Sequence, residues 1–195
     1  WSSDVCSSDL IDIVDDLSNA GPDRFATIQR LSGSSGCELH LHAMDFGDAD
    51  GMRGLLRARP YASCMHFAAK KSVPESVGAP APYYATNVCD SIALFGWLRE
   101  FGVRQFVFSS SGSVYGADVK SAVGEDGAGG AMPAVGDLGS PYARTKLIFE
   151  QFLQDCAAAP AGGHVPQVVI FRYFNPVGTV DDGLRSHGDV TDYLR

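Results

Sequence analysis

Apolar positions in this chain fall into short continuous runs that alternate with stretches of helical period. Ile11-Asp12-Ile13-Val14 predicts a strand that stops at Asp15-Asp16-Leu17-Ser18-Asn19. Residues 22–31 predict a short helix, followed by a Ser/Gly turn. Cys37 to His42 alternates like a strand and runs into Ala43-Met44-Asp45-Phe46, and Met52, Leu55 and Leu56 then mark a helix over 50–57. Ala62 to Ala69 reads as one apolar strand ending in small residues. Tyr84, Val88, Ile92, Phe95 and Leu98 keep helical period through a long helix over 83–101, which Gly102 ends as a C-cap would. Val103 to Phe108 predicts a buried strand with Ser109-Ser110-Ser111 at its end. Residues 116–140, rich in Gly, Ala and Asp, read as a long surface loop. Tyr142 opens a helix whose buried stripe continues through Lys146, Phe149, Leu153 and Cys156. A turn over 157–166 leads to a last strand, Val168 to Phe171, and then to Arg172-Tyr173-Phe174-Asn175-Pro176. There is no internal repeat.

Near-continuous apolar strands separated by helices predict an α/β fold, a Rossmann-like doubly wound parallel sheet covered on both faces. Ligands gather at the carboxyl ends of the strands in such sheets. Asp15, Asp45, Ala68, Ser111 and Phe174 all fall just past those ends, and Tyr142 opens the helix after one of them. The first ten residues, with their near-repeat of Ser-Ser-Asp, fit neither period and read as foreign to the fold.

The bulk properties narrow the function classes. The chain's 195 residues suit one domain or most of one, and its net charge of −8 opposes nucleic-acid binding. Five cysteines (Cys6, Cys37, Cys64, Cys89, Cys156), odd in number and without a Cys-x-x-Cys pair, indicate reduced thiols. Among His40, His42, His66, His164 and His187 only His40-x-His42 shares a strand face, which is a weak metal signal. No apolar run reaches membrane-spanning length and no basic-then-apolar leader is present, so the expectation is a cytoplasmic protein that binds no membrane.

Several positions suggest chemistry. Tyr142 and Lys146, one helical turn apart, share a face. An ammonium beside a phenol in a low-dielectric cleft lowers the phenol pKa from about 10 and makes it a usable general base. The spacing alone is common. Asp15 either receives an adenosine ribose or simply ends a strand. Ala68 and Ala69 admit a flat ligand or allow tight packing, Lys70-Lys71 meets a phosphate or lies in a solvated loop, and the three serines face a ligand or form a turn.

Four ordered motifs carry a resemblance: Met65-His-Phe-Ala-Ala-Lys-Lys-Ser-Val-Pro-Glu-Ser-Val77, Phe106-Val-Phe-Ser-Ser-Ser-Gly-Ser-Val-Tyr-Gly116, Ser140-Pro-Tyr-Ala-Arg-Thr-Lys-Leu147 and Arg172-Tyr-Phe-Asn-Pro-Val-Gly178. Together with Val14-Asp-Asp-Leu-Ser-Asn19 they resemble the extended short-chain dehydrogenase/reductase family, and within it the UDP-glucose 4-epimerases. The resemblance implies NAD, a UDP-sugar substrate, hydride removal from and return to sugar carbon 4, and a homodimer in the full-length family member. By the same resemblance Tyr142 is the base, Lys146 holds the nicotinamide ribose and lowers the Tyr142 pKa, and Ser111 bonds the 4-oxygen. Asp15 binds the adenosine ribose, with Asp16, Leu17, Ser18, Asn19 and Ala20 along the adenine side and Asp45 and Phe46 flanking it. Phe67, Ala68, Ala69, Lys70 and Lys71 follow the cofactor backbone, and Asn87, or Thr86 beside it, pins the strand ends. Phe174 touches the nicotinamide and Asn175 the UDP-sugar.

The departures from the family are specific. Its opening strand and Gly-x-x-Gly-x-x-Gly turn are replaced by residues 1–10, which should leave the second and fourth family strands facing a gap. The loop over 116–140 looks longer than the family usual. Residues 179–195 do not follow the family pattern, and the substrate lobe is absent. The expectation is a partial NAD-binding domain over 11–178, flanked by a foreign segment and an atypical tail. Three other readings remain open. One is a related 4-epimerase of UDP-glucuronate, UDP-arabinose or UDP-N-acetylglucosamine. Another is 4,6-dehydration, which would want an acidic pair near Ser111 where Gly112-Ser113 stands. The third is an inactive fragment.

Overall fold

The computed structural model describes residues 10–19, 22–32, 38–116, 138–159 and 164–175. The first nine residues, Ala20, Cys37, the segment 117–137 and everything from Pro176 onward, His187 included, lie outside the described residues. The chain divides into two compact units, one of residues 1–45 with 175–195 and the other of residues 46–174.

In the first unit, β1 (Leu10–Asp15) and β2 (Glu38–Ala43) form a parallel pair, with Asp12 opposite His40 and Asp15 opposite Ala43. Helix α1 (Pro22–Ser32) connects them. The strand begins at Leu10, one residue before the sequence pattern places it, because Leu10 pairs with Glu38.

The second unit holds a three-stranded parallel sheet in the order β3 (Ser63–His66), β4 (Gln105–Ser111), β5 (Gln167–Tyr173). Met65, Val107 and Val169 stand in register across it. Asp48 caps α2 (Ala49–Ala58), and Ser72 caps α3 (Val73–Gly78), a helix that the sequence pattern does not predict. The expected long helix is built from α4 (Pro80–Tyr84), a π-helical stretch over Ala85–Asp90, and α5 (Ser91–Glu100). Gly102 ends it at φ 74°, where the Val103 amide donates to the Leu98 carbonyl at 2.9 Å. After β4 comes a 3-10 turn, Gly112–Tyr115, and Ser140 then caps α6 (Pro141–Ala158), with Pro141 in its first turn.

Two expectations are corrected. The apolar strand drawn over 62–69 is only four residues long, so Phe67 to Lys71 leave the sheet as coil. The three serines lie within β4, because their backbone pairs with Phe171, Arg172 and Tyr173. Helices of the second unit cover one face of the three-stranded sheet. On the covered face Phe106 and Phe108 pack against Phe95 and Phe149 at ring separations of 5.2 and 4.8 Å. On the other face Met65, Val169 and Phe171 are 44, 41 and 43% exposed. β1 pairs only with β2 and β3 only with β4, so each has an edge without a strand partner among the described residues.

His66 sits in the aromatic core, its Nε2 2.9 Å from the Ser91 hydroxyl and its ring 4.9 Å from that of Phe46. Burial, and secondarily the charge of Lys146, lowers its pKa from 6.5 to about 3. The unfolded chain therefore binds a proton near pH 6.5 that the folded chain refuses, and stability is lost as pH falls from 6.5 toward 3, by at most ~1.4 kcal/mol per pH unit. Urea unfolding across that window is expected to show this decline, and His66→Gln is expected to flatten it. Equal slopes in the two proteins would contradict the assignment.

Candidate active site

The carboxyl end of β4 and the first two turns of α6 bring together Ser111, Tyr142 and Lys146. Ser140 and Pro141 start the helix so that Tyr142 occupies its first turn and Lys146 its second. Lys146 is only 4% exposed. Its Nζ donates to the Ser109 carbonyl at 2.7 Å and lies 4.8 Å above the Phe108 ring. Burial lowers the Lys146 pKa to about 8, and the Glu150 carboxylate opposes that shift.

Tyr142 corrects the expected electrostatics. Burial raises its pKa, and what lowers it is the hydrogen bond it shares with Ser111. The lysine does not act as the phenol's counter-charge because its ammonium is committed to Ser109 and the Phe108 face. Ser111 takes the turn-forming role and also meets Tyr142. Its Oγ accepts from the Ser113 amide at 3.2 Å and from the Ser113 hydroxyl at 2.8 Å.

Asn87 holds the coil that follows β3. It lies in the π-helical stretch, 2% exposed, and its side chain brackets the Lys70 peptide. Oδ1 accepts from the Lys70 amide at 2.8 Å, and Nδ2 donates to the Lys70 carbonyl at 2.9 Å. Nδ2 also reaches Thr145 Oγ1 at 3.2 Å, and Thr145 donates to the Tyr142 carbonyl at 2.8 Å. The loop after β3 is thereby tied to the helix that carries Tyr142. The neighbouring Thr86 offers only its carbonyl, to the Ser91 hydroxyl.

Several residues expected along a cofactor are exposed at this edge. Phe67 and Phe174 expose 54 and 58% of their surface, and Ala68, Lys70 and Lys71 are exposed beside them. Phe174 lies nearly parallel to Tyr115 at 6.1 Å, and a Cβ on Gly112 would fall 2.7 Å from its ring, so only glycine admits that ring here. Asn175 follows, exposed. Phe46 departs from expectation. It is 9% exposed, with its ring packed edge-on to His66, so the core rather than an adenine takes that face.

In the first unit, Asp15 ends β1 and one of its carboxylate oxygens accepts the Leu17 amide at 2.7 Å, holding Leu17 at φ 57°. Asp16 accepts the Ser18 amide at 2.9 Å. Asp16, Ser18, Asn19 and Asp45 are exposed and Leu17 is partly so. This turn presents a carboxylate at a strand end. His40 and His42 are engaged by acids, His42 with Asp12 at 2.6 Å and His40 with Glu38 at 2.8 Å. No group of three potential metal ligands occurs among the described residues, and no described helix is long and apolar enough to cross a membrane.

Sequence reasoning missed Glu150 and the contacts of Arg172. A recess of about 340 Å³ is lined by both, with Tyr115, Gln154 and Ile170. The available signal was a carboxylate four residues past Lys146 in an otherwise buried stripe.

Residues 12–194 match the model of the NAD dependent epimerase/dehydratase family. A UDP-glucose 4-epimerase of Yersinia pestis is 37% identical over 174 residues, covering 88% of this chain and 47% of that protein. The structure of a UDP-glucose-4-epimerase from Stenotrophomonas maltophila, with bound NAD and formylated UDP-arabinopyranose, is 38% identical. It superposes with a TM-score of 0.70 over 86% of this chain and 46% of that one. The enzyme from Bifidobacterium longum, in complex with NAD+ and UDP, gives a TM-score of 0.73 at 29% identity, over 89 and 48% of the two chains. The chain spans about half the length of the curated relatives it matches.

Asn87→Ala is expected to destabilise the chain by about 2–3 kcal/mol, because the bracketed Lys70 peptide loses both side-chain partners. It is also expected to speed hydrogen exchange at the Lys70 amide. Unaltered protection at Lys70 would show that the bracket does not hold the loop.

Proposed function

The chain belongs to the NAD dependent epimerase/dehydratase family, and from that premise we propose that it carries the NAD-binding and acid–base part of a UDP-hexose 4-epimerase. Residues 11–178 supply the cofactor-binding framework on this reading. The observation that carries it is the grouping of Ser111, Tyr142 and Lys146 where the carboxyl end of β4 meets the start of α6.

Bound NAD supplies the hydride acceptor and donor for carbon 4 of the sugar. Tyr142 takes the proton of the 4-hydroxyl and returns it, and Ser111, already bonded to Tyr142, faces the same oxygen. Lys146 turns from the Ser109 carbonyl toward the nicotinamide ribose, where its charge favours the phenolate. Asp15 receives the adenosine ribose, with Asp16 to Asn19 and Asp45 along the adenine side. Ala20 has the same role by family likeness alone. Phe67 to Lys71 follow the cofactor, Asn87 holds their backbone, Phe174 lies against the nicotinamide and Asn175 against the UDP-sugar. A homodimer and a cytoplasmic location complete the proposal.

Two measurements test it. NADH added to the chain is expected to gain fluorescence on binding, and the absence of any change would leave a remnant without cofactor. In a coupled assay converting UDP-galactose to UDP-glucose with the protein restored to the length of its relatives, Tyr142→Phe is expected to lower turnover by about 10²–10⁴-fold. Turnover within a few-fold would remove Tyr142 as the base.

A further inference from the structure

Glu150 follows Lys146 by one turn of α6, and none of its surface is exposed. A buried carboxylate persists only where its charge and lone pairs are matched. Arg172 of β5 donates to it through Nε at 3.2 and 3.1 Å and through a terminal nitrogen at 2.7 Å. The Ser110 hydroxyl of β4 donates to the same carboxylate.

Ser110 is the middle residue of Ser109-Ser110-Ser111. Strand alternation turns its side chain to the face opposite those of Ser109 and Ser111. The Ser109 carbonyl accepts Lys146 Nζ, and Ser111 bonds Tyr142. The residue that Glu150 grips thus lies between the two that engage the acid–base pair. Arg172 extends the tie, its guanidinium 4.9 Å above Tyr115, whose ring parallels that of Phe174.

We propose that Glu150 is a positioning residue for the Ser111–Tyr142–Lys146 site, its carboxylate locking the end of β4 and the Arg172–Tyr115–Phe174 stack to α6. This rests on the functional reading above, but its readouts require neither cofactor nor substrate. The charged and titratable groups around Lys146 are Glu150 on its own helix, Arg172 of β5 beyond that carboxylate, His66 on β3, and Tyr142.

The test follows the Lys146 13Cε resonance against pH in the 195-residue chain, assigned among its four lysines with Lys146→Arg. Glu150→Gln is expected to lower the proton affinity of Lys146 by about three- to tenfold. Arg172→Gln, which leaves the carboxylate uncompensated, is expected to raise it. Opposite signs mark a charge acting on the lysine, whereas a generally loosened fold moves both variants the same way. An unchanged midpoint in folded Glu150→Gln overturns the proposal. Ser110→Ala removes one hydroxyl and no charge, and decides the matter where the charged variants do not fold. It is expected to raise the Tyr142 midpoint, read from its 13Cζ resonance, by slackening the Ser111 bond. A Tyr142 midpoint that does not move overturns the positioning role. Absence of NAD binding or turnover would remove the functional reading while leaving these midpoints as they are.

Discussion

An ammonium and a carboxylate lie one helical turn apart in the core beneath β4, and the second unit depends on satisfying both. Lys146 is met by a backbone carbonyl and an aromatic face, Glu150 by a guanidinium and a hydroxyl. A buried charge without a partner costs several kcal/mol, more than a domain of this size can lose at many places. The partners must therefore arrive together. They come from β4, β5 and α6, so the ion pair makes the register of three elements a single condition.

The same economy explains the π-helical stretch. An extra residue in one turn redirects the side chains that follow. Here it accompanies Asn87, whose amide faces a peptide that has already left the sheet. Coil at a strand end has no ladder to satisfy its backbone, so a side chain must do so. Asn87 is suited to that because one amide group both donates and accepts, matching the two halves of a peptide. Through Thr145 the bracket reaches the carbonyl of Tyr142, so the loop and the helix N-terminus are held by one group.

The sequence made the order of strands and helices legible because each strand is a short apolar run and each helix keeps its period. Gly102 and Ser140-Pro141 fixed two helix ends through chemistry local to those residues. What was not legible depended on tertiary pairing. The serines belong to β4 because β5 runs alongside them, and no property of Ser109-Ser110-Ser111 announces that. Phe46 looked available to an adenine and is instead held by His66. Glu150 drew no reading from the sequence, and only the arrival of Arg172 and Ser110 makes its burial tolerable. The electrostatics of Tyr142 failed for a related reason, since spacing on a helix gives proximity but not direction.

That distinction sharpens what Tyr142 and Lys146 mean. Two residues four apart are stacked on one face wherever a helix forms. Whether the ammonium serves the phenol depends on what else competes for it, and here the competitor is the Ser109 carbonyl. A single hydrogen bond to a neutral acceptor is a modest restraint, about 1.5–3 kcal/mol for a charged donor. It parks the lysine without trapping it. A ribose hydroxyl placed beside Tyr142 can offer the same acceptor in a better position, and the phenol then gains the positive charge that burial alone denies it. On the proposed function the tyrosine would thus be primed by the ligand's arrival rather than by the fold, with the strand carbonyl holding the ammonium until then.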